Sequence, residues 1–151
     1  MAKFFYRMQN ILDIKLQLET VAKQEYANAQ AALSVEEQKL KALRDRKRGY
    51  MLEYSEAISG KLDFLRIDEC GNAIDVMDDL IAAQLEVVRI KSRELEKARQ
   101  KLSELMQERK MHEKLKEKKF EEFLVELNEQ EGKETDEVVS YQFNSKGQTE
   151  E

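Results

Sequence analysis

An all-α fold, a long two-helix antiparallel coiled-coil hairpin, is what this 151-residue sequence predicts, and three observations predict it. Two stretches, 4–59 and 73–134, carry apolar residues at helical spacing. One glycine-bearing break, 60–72, lies between them. Proline is absent from the whole chain, so nothing in either stretch fixes φ or removes a backbone donor, and each can run as one helix. Charged residues make up 38% of the chain and the mean hydropathy is -0.72, which leaves little apolar mass for a globular core. Such a composition, rich in Ala, Glu, Lys, Leu and Arg, is the profile of a long helix or coiled coil. One elongated domain over 1–134 is expected, followed by a frayed or disordered acidic tail over 135–151.

In the first arm, Ile11, Leu18, Ala22, Ala29, Leu33, Leu40, Leu43, Tyr50, Tyr54 and Ile58 recur at steps of three, four or their sums, forming one stripe. Ser34-Val35-Glu36-Glu37 matches a helix-start signature, but the stripe passes straight through it, so it is read as interior to the helix. The break is short enough to fold the chain back on itself, and short connections favour antiparallel neighbours. Asn72 followed by Asp75 fits an N-cap with an acid in the first turn. The second arm answers with Ile74, Met77, Ile81, Val88, Leu95, Ala98, Leu102 and Leu105, continuing less regularly to Leu115, Phe120 and Phe123. At a rise of about 1.5 Å per residue each arm would span roughly 85 to 90 Å. Lys47, Lys91 and Arg109 fall on the seam. Either they set the register or they face a third partner. From Gly132 onward the periodicity fades.

No constellation of residues points to catalysis. The five glycines are scattered at Gly49, Gly60, Gly71, Gly132 and Gly147, so no phosphate-cradling loop is present. His112 is the only histidine and has no cysteine near it, which argues against a zinc site. Cys70 is the only cysteine; it sits at the turn, some 40 residues from His112, so no Cys-His pair is expected. The acidic doublets Asp78-Asp79 and Glu121-Glu122 point to different helix faces. The chain is therefore read as non-enzymatic, with no metal and no cofactor. No window approaches the roughly 18 apolar residues of a membrane span, and polar residues from Arg7 to Asp13 interrupt any apolar leader. Direct membrane insertion is not expected.

Charge is organised in blocks. Lys39, Lys41, Arg44, Arg46, Lys47 and Arg48 form one basic run, Arg109, Lys110, Lys114, Lys116, Lys118 and Lys119 another, and Glu121 to Glu137 is acidic. Basic runs on a helix are either solvated faces or contacts for an acidic protein. Nucleic acid is disfavoured as a partner because the runs hold few stacking aromatics and the net charge is -5.

Five segments carry a resemblance. The opening Phe5-Tyr6-Arg7-Met8-Gln9-Asn10-Ile11-Leu12-Asp13-Ile14-Lys15, the stretch Glu36-Glu37-Gln38-Lys39-Leu40, the late Met106-Gln107-Glu108-Arg109-Lys110 and Lys116-Glu117-Lys118-Lys119-Phe120-Glu121-Glu122-Phe123, and Asp136-Glu137 are similar to the FliJ family of flagellar export proteins. The similarity covers almost the whole chain. It implies a cytoplasmic component of the flagellar type III protein export apparatus, peripherally associated with the inner face of the membrane at the flagellar base. Family members act as a stalk that enters the export ATPase hexamer and promotes its assembly and activity. They also contact the cytoplasmic part of the membrane export gate and serve export chaperones as a general chaperone or escort.

Carried onto this chain, the resemblance implies an ATPase-ring contact at Phe5, Arg7, Gln9, Asn10, Arg109, Lys110, Lys118, Lys119 and Phe123. It implies an export-gate contact nearer the turn, at Leu40, Leu43, Tyr50, Tyr54, Ile74, Met77, Ile81 and Gln84. Leucines and tyrosines at helical spacing serve equally well as seam. Where family members tend to place an aromatic in the mid-hairpin patch, this chain has Arg46. Three other readings stay open: a generic coiled-coil tether, a client-binding export chaperone without ATPase contact, and an RNA-binding arm.

Overall fold

The protein's structure, a computed structural model, describes residues 2–147. Two helices, α1 over Gln9–Ile58 and α2 over Phe64–Gly147, pack against each other as a hairpin, with no strand among the described residues. Their packing divides into two units, one of Met1–Leu18 with Met106–Glu151 and the other of Glu19–Leu105.

In the second unit the covered positions of α1 include Glu19, Ala22, Tyr26, Ala29, Leu33, Glu36, Leu40, Leu43, Lys47, Tyr50, Tyr54 and Ala57, alternately three and four residues apart. On α2, Ile67, Cys70, Ile74, Met77, Ile81, Gln84, Val88, Lys91, Leu95, Ala98, Leu102 and Leu105 keep the same alternation. Their mean step is that of a coiled coil rather than a straight helix, so slight supercoiling keeps each seam on its partner. Cross-helix contacts fix the direction. Glu25 meets Lys101 at 3.1 Å, Glu36 meets Gln84 at 2.7 Å, Lys47 meets Asp78 at 2.5 Å and Glu56 meets Arg66 at 3.4 Å. As the residue number rises on one helix it falls on the other, which is an antiparallel pairing. Lys47 thus reaches across the seam to a carboxylate, while Lys91 bonds Glu94 along its own helix at 3.3 Å.

Three expected seam residues lie outside it. Ile11, Leu18 and Ile58 are 40, 43 and 45% exposed, whereas Leu12, Glu19 and Ala57 beside them are 4, 3 and 3% exposed. Following apolar residues selects Leu18, four positions before Ala22. The alternation of the remaining stripe requires position 19, three before it, although a glutamate stands there. The Glu19 carboxylate lies 3.5 Å from the exposed Lys23 ammonium, which offsets its burial.

The connection is shorter than the expected 60–72 break. Residue Ser59 still donates its amide to Ser55 O at 3.0 Å, and α2 begins at Phe64. Asp63, not Asn72, caps it: the Asp63 carboxylate accepts the Arg66 amide at 3.3 Å, and the Ile67 amide reaches Asp63 O at 3.0 Å. Gly71 and Asn72 lie inside α2. Their turn-like chemistry is overridden because Ile67, Cys70 and Ile74 around them occupy seam positions.

The first unit also departs from expectation at its start. Residues 2–6 have no regular structure, 7–8 form a turn, and α1 begins only at Gln9, whose amide bonds Tyr6 O at 3.2 Å. Phe4 is therefore not helical. At the other end, the acid-rich stretch expected to fray from 135 is helical as far as Gly147, with every side chain from 128 to 147 exposed. Residue 1 and residues 148–151 of the expected tail lie outside the described residues.

Candidate functional site

Two sets of residues are candidates for docking partners, one in each unit.

The first unit is organised by aromatic rings. Phe120 and Phe123 are three apart and share one face of α2, and the irregular N-terminal segment lays Phe4 on them. Its ring meets Phe120 edge-on at a centroid distance of 5.2 Å and an interplanar angle of 71°, and Phe123 at 5.5 Å. Such pairs contribute about 0.5–1.5 kcal/mol each beyond their buried area. Tyr6 is 7% exposed, and Leu12 is 4% exposed. Two buried polar atoms of this unit, Tyr6 Oη and His112 Nδ1, have no hydrogen-bond partner among the described residues.

Folding back in this way leaves an open groove of ≈ 580 Å³ lined by Lys3 to Met8 and by Leu115, Lys119, Glu122, Phe123 and Glu126. Four of the residues expected at the ATPase contact, Phe5, Arg7, Lys119 and Phe123, line it together. Phe5 projects into solvent at 82% exposure. The Lys119 ammonium pairs with Glu122 at 3.3 Å. Gln9 lines a neighbouring groove with Phe4, Leu12, Leu16, Lys116 and Phe120, and its amide donates to Asp13 at 2.9 Å. Asn10, Lys110 and Lys118 are exposed outside both of these grooves. Arg109 is already engaged: one guanidinium nitrogen holds both Glu113 oxygens at 3.0 Å, and its side chain is only 19% exposed. Phe4 was absent from the expected site, although two adjacent phenylalanines before the helix and a Phe pair three apart on α2 are a readable signal.

The second set is mostly seam. Leu40 and Met77 are 7 and 5% exposed, and Leu43, Tyr50, Tyr54, Ile74 and Ile81 are half-buried between the helices. Gln84 is bound twice to one residue across the seam, donating to the Glu36 carboxylate at 2.7 Å and to Glu36 O at 2.9 Å. That bond, helped by Lys39, holds the Glu36 carboxyl below the ordinary carboxylate value. Arg46 is exposed. The free apolar surface of this unit lies instead on residues the sequence reading passed over, chiefly Leu52, Leu62, Phe64 and Leu65, 53 to 75% exposed.

Burial pushes the Cys70 thiol up, and the Glu53 carboxylate 3.8 Å away reinforces the shift. Its pocket is lined by Tyr50, Glu53, Asp63, Leu65, Arg66, Glu69 and Ala73, without His112. Among the described residues no group of three or more His, Cys, Asp or Glu could hold a metal ion, and no helix is long and apolar enough to cross a membrane.

The model of the flagellar FliJ protein family matches residues 4–148. The chain belongs to the FliJ family. That places it among the components of the flagellar type III export apparatus, a non-enzymatic class. No curated protein matches it. A solved structure described as that of a YscO homolog from Chlamydia trachomatis superposes with a TM-score of 0.63 at 22% identity, covering 97% of this chain and 99% of that one. At that identity the likeness is one of fold, and the fold shared end to end is the FliJ-type hairpin.

Proposed function

We propose that this FliJ-family protein is the stalk of the flagellar export ATPase. The unit bearing both termini enters the ATPase ring and promotes its assembly and turnover. The second unit reaches the cytoplasmic part of the export gate, and the chain escorts export chaperones between cycles. The observation that carries this reading is the groove of the first unit. Four residues that the family resemblance assigned to the ring, drawn from opposite ends of the sequence, line it together. Its lining combines phenylalanines with Lys3, Arg7 and Lys119 and with Glu122 and Glu126, Lys119 being paired with Glu122, so Lys3 and Arg7 are the cations left to meet a partly apolar, acidic loop, where charge gives orientation and on-rate more than affinity. A stalk works by length, stiffness and surface, and it needs no active site of its own. At the gate-facing unit, the half-exposed rims of Tyr50 and Tyr54 and the exposed apolar residues near the connection supply contact area.

The test measures ATP hydrolysis and ring assembly by the flagellar export ATPase of the same organism, with the parent chain and with an Arg7→Glu, Lys110→Glu variant. Both positions are exposed, so helicity should be unchanged. Stimulation by the parent and its loss in the variant supports the stalk. A helical parent that leaves the ATPase unmoved at saturation removes this reading in favour of a tether or a client chaperone.

A further inference from the structure

α2 continues well past the last side chain that the rest of the chain covers. The stretch 128–147 is helical and wholly exposed. It contains Gly132, Thr135, Val138, Val139 and Asn144, all weak helix formers, and an isolated helix of that length is marginal in water. It also holds Val138, Val139, Tyr141 and Phe143 at 56, 58, 75 and 79% exposure. A helix of this kind draws its stability from a packed face.

Charge decides what can pack there. Glu131, Glu134, Val138 and Tyr141 follow one another at steps of three, four and three, so they form one stripe that is acidic first and apolar second. On α1, Lys41, Arg44, Arg48 and Met51 follow at the same steps, basic first and apolar second, and all four are exposed. Lys41 and Arg44 make no ion pair among the described residues, and Arg48 has only Asp45 at 3.7 Å. Laid parallel, the two stripes match throughout: Glu131 beside Lys41, Glu134 beside Arg44, Val138 against the aliphatic stem of Arg48, and Tyr141 on the Met51 thioether. Laid antiparallel, only Glu134 and Arg48 pair, while Arg44 meets Val138 and Met51 meets Glu131.

We propose that the C-terminal stretch of α2 in one copy docks, parallel, on the Lys41–Met51 face of α1 in a second copy. Flanking charges of this sort select partner and direction. The association is reversible and weakens with salt, because exposed pairs are screened. It requires no export component and stands apart from the ATPase reading.

The experiment is sedimentation velocity of the full chain over a concentration series at low and high salt. Three samples are compared: the parent, a Glu131→Lys, Glu134→Lys variant, and a Lys41→Glu, Arg44→Glu variant. All four positions are on the surface, and circular dichroism checks that helicity is kept. The parent is expected to self-associate, and each variant alone to associate about tenfold more weakly or worse. An equimolar mixture of the two variants restores the complex, because the reversed stripes are again complementary. A parent that stays monomeric at low salt overturns the proposal. So does self-association that survives both reversals, or a mixture that fails to associate.

Discussion

Phe4→Ala isolates the contact that builds the groove of the first unit. The Phe4 ring is half-buried, and full burial of a phenylalanine contributes about 1.5–3 kcal/mol, so its share is about 1 kcal/mol. Its contacts with Phe120 at 5.2 Å and Phe123 at 5.5 Å add about 0.5 kcal/mol each, the low end of the range because Phe120 is itself 42% exposed. Losing about 2 kcal/mol raises the population with the N-terminal segment detached by about 30-fold. Trypsin cleavage after Arg7 reports that population, since proteolysis follows the open fraction when opening and closing are fast. Cleavage at Arg7 should accelerate by about that factor while thermal melting of the helices at 222 nm stays in place. Phe5→Ala is the control, because Phe5 is 82% exposed and should leave the cleavage rate unchanged. Equal rates in the parent and Phe4→Ala, or equal acceleration by both variants, would refute the idea that the ring cluster holds the segment down.

Seam register is open to a paired test. Leu40→Ala should cost about 2–3 kcal/mol in urea unfolding, since Leu40 is 7% exposed. Leu18→Ala should cost under about 1 kcal/mol at 43% exposure, and equal losses at the two sites would contradict the register. Acidification tests the Glu36–Gln84 bond. The folded Glu36 carboxyl titrates below its ordinary 4.5, so its contribution is present above that pH and disappears as pH falls through the lower folded value. The stability difference between the parent and Glu36→Gln should therefore be widest near neutral pH and close under acid, whereas pH curves that stay parallel would rule the bond out as a stabilising element.

Much of the seam could be read from the sequence. From Ala22 to Tyr54 the expected stripe coincides with the covered face, because the apolar residues there leave one choice of helix face. The candidate site was legible as a list and not as a place. Phe5, Arg7, Lys119 and Phe123 were named by resemblance, but that they share a groove depends on Phe4 folding across α2, an encounter between residues more than a hundred positions apart. The residues named for the gate were, by spacing alone, equally good as seam, and Leu40, Met77 and Gln84 are engaged there.

The sequence by itself determined that the chain is helical, that it reverses once, and that its helices pair along a narrow apolar stripe. Those features follow from the absence of proline, the spacing of apolar residues and the composition, all of which are local. Tertiary structure decided the phase of the stripe at Glu19, the helical run through Gly71 and Asn72, and the irregular start before Gln9. In each case local preference was close to neutral or pointed elsewhere. Contact with the facing helix, or with the Phe120–Phe123 face, supplied the difference.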